Sequence, residues 1–197
     1  MSKNYVKITP QKVELNNCEV SVSSCGVAML SEIYRSHIKD YPKFFKMDTL
    51  SRLGFVASEL LLAAETNRFT PCEDRAVIMI NHSASFCDDS HYQSTIADAD
   101  NYFPSPSVFV YTLPNIVTGE IAIRNKYYGE TSFFVLPKYD EQSIADIVFD
   151  AFHDDETQSV LGGWLECIND DNFEAVIFII NRDADKSELI NLLKKHN

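Results

Sequence analysis

The chain has 197 residues, 45% of them hydrophobic and only 6 of them Gly, enough for one well-buried domain over 1–197 and short for two. Its 29 acidic residues against 17 basic ones give a formal net charge of −12, which argues against nucleic acid as a partner. No stretch approaches the ~18 apolar residues of a membrane span, and the opening MSKNYVKITP has no apolar signal core, so the expectation is a cytoplasmic protein with no membrane role.

Taken in chain order, residues 5–9 and 18–23 alternate apolar and polar positions like exposed or edge strands, joined through the turn pair Asn16-Asn17. A loop-rich stretch with Tyr34, Tyr41, Phe44 and Phe45 leads to Asp48, a good N-cap. The helix expected over 49–66 places Leu50, Leu53, Ala57, Leu60, Leu61 and Ala64 on one face. Residues 75–81 are apolar on both faces, as a central strand requires.

Between residues 102 and 137, Pro104, Pro106 and Pro114 fix a stiff, extended approach to a short helix. Ile116, Gly119, Ile123 and Tyr127 recur on one side of that helix, with Gly119 small enough to admit another backbone. Residues 131–136 read as a buried strand. A helix over 140–153 turns Ile144, Ile147, Val148, Ala151 and Phe152 inward. Gly162-Gly163-Trp164 begins the segment leading to a buried strand at 173–180, and an amphipathic helix with Leu189, Ile190, Leu192 and Leu193 closes the chain over 185–195. Strands alternating with helices through long crossovers predict a layered α/β fold, with about five strands in a mixed sheet between helix layers.

The chemistry-bearing residues are sparse. Cys18, Cys25, Cys72, Cys87 and Cys167 are odd in number and widely spaced, which indicates neither a zinc site nor a disulfide framework. Asn81, His82, Ser83, Cys87, Asp88, Asp89 and His91 crowd one loop after a strand, and a thiol beside a histidine can be a nucleophile. Asp88 and Asp89 are adjacent anions that disfavour a thiolate at Cys87. His82, Asp89 and His91 have the ligand types for a metal, but their spacing matches no strong motif, so neither a metal nor a cofactor is expected.

Charge is uneven along the chain. Residues 139–181 hold eleven acidic side chains and no Lys or Arg, whereas Lys39, Lys43, Lys46 and Arg52 form one locally basic run. That run is either a solvated helix flank or a docking surface for an acidic partner.

Several short marks in fixed order carry a family resemblance. They are Lys46-Met47-Asp48 with Leu50, Ser51 and Arg52; Asn81-His82-Ser83 with Ser85 and Asp89; Thr112-Leu113-Pro114-Asn115; Gly119-Glu120-Ile121-Ala122-Ile123; and Gly162-Gly163-Trp164. Together they resemble the N-terminal half of a β-ketoacyl (3-oxoacyl-carrier-protein) synthase, the condensing enzyme of fatty-acid and polyketide synthesis, most clearly over residues 41–181. The resemblance implies a thiolase-like three-layer αβα half-fold. It also implies a nucleophilic Cys where a strand meets the next helix, and that position falls among Leu136, Pro137, Lys138 and Tyr139, near Lys138. No Cys lies between residues 88 and 166, and the following helix opens with Asp140 and Glu141, the wrong sign for stabilising a thiolate. No catalytic residue is therefore assigned, and the histidines and lysine that assist decarboxylation in the family belong to a second half.

Three readings follow from the resemblance. The first, and favoured, is a non-catalytic, chain-length-factor-like subunit for fatty-acid, aryl-polyene or related pigment polyketide synthesis. It would form a homodimer, or a heterodimer with a complete ketosynthase, through the strand holding Ser132, Phe133, Phe134, Val135 and Leu136. An acyl carrier protein would dock on Lys39, Lys43, Lys46 and Arg52. The second is a divergent acyltransferase active only with a complementary chain. The third is a free-standing binder of acyl chains or carrier protein.

Overall fold

The computed structural model describes residues 4–100 and 102–196; the first three residues of the stretch read for a leader lie outside them. The chain opens with three short strands, β1 (Tyr5–Ile8), β2 (Val13–Leu15) and β3 (Cys18–Val20), then α1 (Gly26–Ile33), which continues as a π-helical turn at Tyr34–Ile38. A 3-10 turn at Pro42–Lys46 leads into α2 (Thr49–Leu62), followed by β4 (Arg75–Asn81), α3 (Phe86–Ser94), α4 (Pro106–Val110) and α5 (Ile116–Asn125). The remainder is β5 (Thr131–Val135), α6 (Glu141–Asp150) with a 3-10 extension at Ala151–His153, β6 (Ser159–Asn169), β7 (Asn172–Asn181) and α7 (Lys186–His196).

One mixed sheet of seven strands runs β3-β2-β1-β7-β6-β4-β5. The β4–β5 and β4–β6 pairs are parallel and the others antiparallel. The expectation of about five strands was low because two were hidden. Val13–Leu15 is a three-residue strand, and Asn16 and Asn17, at φ 56° and 64°, turn β2 into β3 rather than linking two longer strands.

The second hidden strand is β6, which carries Gly162-Gly163-Trp164 in its middle and not ahead of it. These glycines are poor strand formers in isolation. Here the neighbouring strands approach too closely for any side chain: a Cβ on Gly162 would lie 2.6 Å from the Ile78 carbonyl oxygen, and one on Gly163, at φ +151°, 2.0 Å from that of Val176.

Helices cover both faces of the sheet. On one side Leu30, Leu53, Phe55, Leu62, Val117 and Ile121 from α1, α2 and α5 pack on Val77, Met79, Leu161 and Ile177. On the other, Ile144 and Val148 of α6 and Leu189 and Leu193 of α7 pack on Ile78, Ile80, Val160, Trp164 and Phe178. This three-layer αβα arrangement has the predicted architecture. Among the described residues, no helix is long and apolar enough to cross a membrane.

The face of α5 differs from the one its hydrophobicity suggests. Its buried residues are Val117, Thr118, Glu120, Ile121, Ala122 and Asn125, while Ile123 is 67% exposed. Gly119 faces open space, with nothing within 4 Å of where a Cβ would stand; the close approach occurs at Gly54 of α2, where a Cβ would meet Val117 Cγ2 at 2.5 Å. Polar groups turn α5 inward: Glu120 is buried beneath Lys43 (2.5 Å) and Tyr41, whose hydroxyl donates to it at 3.3 Å.

Candidate functional site

The parallel strands β4, β5 and β6 end on the same edge of the sheet, and the strand-to-helix junction that would hold a nucleophile lies there. Lys138 is exposed to solvent. Tyr139 turns inward, its ring 5.0 Å from that of Trp164 and its hydroxyl donating to the Leu193 carbonyl at 3.0 Å. Burial raises its pKa. Asp140 caps α6 by accepting the Ser143 N–H at 2.7 Å, which also lowers the Asp140 pKa. The junction thus presents a lysine, a packed tyrosine and a helix end already occupied by its own carboxylate.

The polar loop after β4 is anchored by side-chain and backbone contacts. Glu166 of β6 accepts the His82 N–H at 2.9 Å, the Ser83 N–H at 3.3 Å and the Cys167 N–H at 3.0 Å. His82 Nδ1 donates to the Leu136 carbonyl at 2.9 Å, tying the loop to the end of β5. Ser85 donates to the Thr112 carbonyl (2.6 Å) and to Asp89 (3.4 Å). His91 faces a cavity farther along α3, so His82, Asp89 and His91 do not converge. Among the described residues no group of three His, Cys, Asp or Glu could hold a metal ion.

β5 is the outermost strand next to β4, and it is less buried than its composition suggests. Phe133 packs on the core and Leu136 on the opposite layer, while Ser132 donates to Glu130. Phe134 is 38% and Val135 52% exposed. α5 packs beside this strand and exposes Ile123, and the approach to α5 exposes Phe109, Val110 and Leu113. Apolar side chains on an open sheet edge mark a surface that another chain can cover.

The basic run is divided by the fold. Lys43 is paired with Glu120, and Arg52 donates to the carbonyls of Phe44 (3.3 Å) and Phe45 (3.0 Å). Lys39 and Lys46 are exposed and have no ion-pair partner among the described residues.

A cavity of about 860 Å³ opens between the start of α2, α3, α4 and the β6–β7 hairpin. Asp48 caps α2 by accepting the Ser51 N–H at 3.1 Å, and the Thr49 hydroxyl donates to Asp170 at 2.5 Å, fastening the hairpin to that helix start. Asp88 of α3 lines this cavity together with Asp48 and is buried. Burial first, then the Asp48 charge and the bond between the two carboxyls, push its pKa up to about 9. The Cys87 pKa is lowered, chiefly through the Cys167 thiol, and that of Cys167 is raised, chiefly through Cys87 and then by burial. The loop's spacing made Cys87 visible in sequence; the Asp48–Asp88 pair joins residues forty apart and has no local signal.

No family model matches this chain, and no curated protein matches it in sequence. Solved structures do. One is the ishigamide ketosynthase/chain length factor, at TM-score 0.64 and 13% identity over 92% of this chain; the match takes in 62% of that chain, so the present one spans less than two thirds of its length. Another is a ketosynthase in complex with its chain length factor from Xenorhabdus doucetiae, at TM-score 0.59 and 14% identity, covering 96% of this chain and 89% of the matched one. With the αβα layering and the parallel β5-β4-β6 core, these likenesses identify the architecture as the thiolase-like fold of ketosynthases and chain length factors.

Proposed function

We propose that residues 1–197 form a single domain acting as a non-catalytic, chain-length-factor-like subunit, which pairs in the cytoplasm with a ketosynthase through β5. The observation that carries this reading is the edge strand itself, parallel to β4 on one side, open on the other, and exposing Phe134 and Val135. Two further points support it. The junction near Lys138 has no thiol and a self-capped helix, and the matched chain of the Xenorhabdus doucetiae complex is close in length to this one. Pairing with a ketosynthase of this kind favours a polyketide or aryl-polyene product over a pathway of general metabolism. In this reading the subunit shapes the acyl pocket of its partner and leaves the condensation to the partner's nucleophile.

The test is co-expression with candidate ketosynthases, followed by light scattering. A 1:1 complex is expected, or a homodimer of twice the 22.4 kDa chain mass when the partner is absent. Phe134→Asp should abolish assembly while keeping a cooperative thermal transition. A wild-type monomer that ignores every ketosynthase offered would sink the reading. Incubation with an acyl-carrier thioester should leave the intact mass unchanged, and a stoichiometric adduct at Cys87 would favour the acyltransferase alternative.

Carrier-protein docking belongs to the same proposal, with Lys39 and Lys46 as the accessible cations and Lys43 and Arg52 holding their surroundings in place. Contacts of this kind contribute on the order of 1 kcal/mol or less each and are screened by salt. Lys46→Glu should therefore weaken a low-salt NMR titration with the carrier and have no effect at high salt.

A further inference from the structure

The Asp48 and Asp88 carboxyls line the 860 Å³ cavity, and neither forms an ion pair among the described residues, although Lys46 and Arg52 line it too. Asp88 is 6% exposed, and Asp48 Oδ1 and Asp88 Oδ2 are buried oxygens that receive no N–H or O–H from any other group among the described residues. The charged groups facing them from each neighbouring element are engaged elsewhere or stand at the rim. Arg52 of α2 is spent on the Phe44 and Phe45 carbonyls, Asp170 of the hairpin holds Thr49, and Asp89 of α3 accepts from Ser85. Lys46, His91 and Asp171 are exposed around the mouth. Leaving both of these buried carboxyls ionised is costly, and sharing a proton or receiving a cation relieves that cost.

We propose that the Asp48–Asp88 pair is the recognition end of a binding site for a small aliphatic ammonium or guanidinium compound, taken up in exchange for the shared proton. The proton leaves Asp88 for solvent, and the ligand's N–H groups replace it with charge-assisted bonds to both carboxylates. The cavity lies within the roughly 300–1,000 Å³ typical of small-molecule sites. Met47, Val108 and Tyr111 supply wall for an alkyl stem, and Asp170 and Asp171 favour cations at the entrance. Asp48 Oδ2 continues to cap α2, so binding draws on the free oxygens alone. The site is independent of the β5 surface and stands or falls separately from the pairing proposal.

Calorimetric titration of the full chain with agmatine and with spermidine, in two buffers of different ionisation heat, tests this directly. Saturable binding with release of about one proton is expected, and affinity should rise about tenfold from pH 7.5 to 8.5. Asp88→Asn should abolish the proton release and weaken binding at least tenfold, with a thermal unfolding curve recorded to show that the variant is folded. Absence of saturable binding in the millimolar range, binding of the wild type without proton release, or undiminished binding by folded Asp88→Asn would each overturn the proposal. Should the variant fail to fold, the wild-type proton count at the two pH values still decides.

Discussion

Asp88 illustrates how one residue links burial to pH. Its carboxyl is held neutral by the fold, with a pKa raised from 3.8 to about 9, so the stability it contributes is complete below about pH 4 and is lost as pH rises toward 9. Asp88→Asn keeps a neutral donor toward Asp48 and removes the linked proton. The variant should be more stable than wild type at pH 8, by on the order of 2 kcal/mol or a melting temperature ~5 °C higher, with the advantage vanishing near pH 4. Urea unfolding at the two pH values measures it, and an equally steep pH dependence in the variant would show that another group is responsible. At this scale the sequence was partly legible. Asp48 announced itself as an N-cap, a role defined by residues three apart, whereas its contact with Asp88 depends on how α3 lies across α2. His82 and Glu166 likewise meet only because β4 and β6 are neighbours.

Elements built from ordinary periodicity, such as α2, β4, α6, β7 and α7, emerge close to where the pattern puts them, because each buries a face whose apolar spacing is its own. β6 and α5 do not. In β6 the information resides in the strands on either side, which come close enough to demand Gly162 and Gly163. Replacing Gly163 by Ala should cost about 3 kcal/mol or more, since its Cβ would fall 2.0 Å from the Val176 carbonyl at a φ of +151°. Gly119→Ala is the opposite case. The site is helical with open space around it, so the change should stabilise the protein by about 0.5–1 kcal/mol. Chemical denaturation of the pair tests both; equal destabilisation would mean that α5 packs differently. The misread face of α5 has a chemical cause, since buried Glu120 finds Lys43 and Tyr41 while Ile123 is left outside.

Across the whole molecule, resistance to opening should follow the sheet. β4, β6 and β7 are buried between both helix layers, whereas β2, β3 and α4 have few buried residues. Amide exchange should accordingly be slowest at Ile78, Val160 and Phe178 and fastest around Cys18 and Phe109, and a uniform rate across these sites would contradict a graded stability. The layered architecture was readable because long crossovers between strands leave few alternatives; the strand count was not, because two strands lacked local signals. The two edges of the sheet also differ in kind. β3 is three residues long and presents Cys18 and Glu19, with Glu19 3.5 Å from the Lys12 ammonium, whereas β5 presents Phe134 and Val135. Only one edge therefore invites extension, and the other is short and charged. Once two chains meet through β5, whether identical or not, a copy of this protein offers nothing at its far edge for a third to add to. If the proposed β5 pairing forms, this asymmetry makes it self-terminating, a finite two-chain assembly rather than an open-ended fibre.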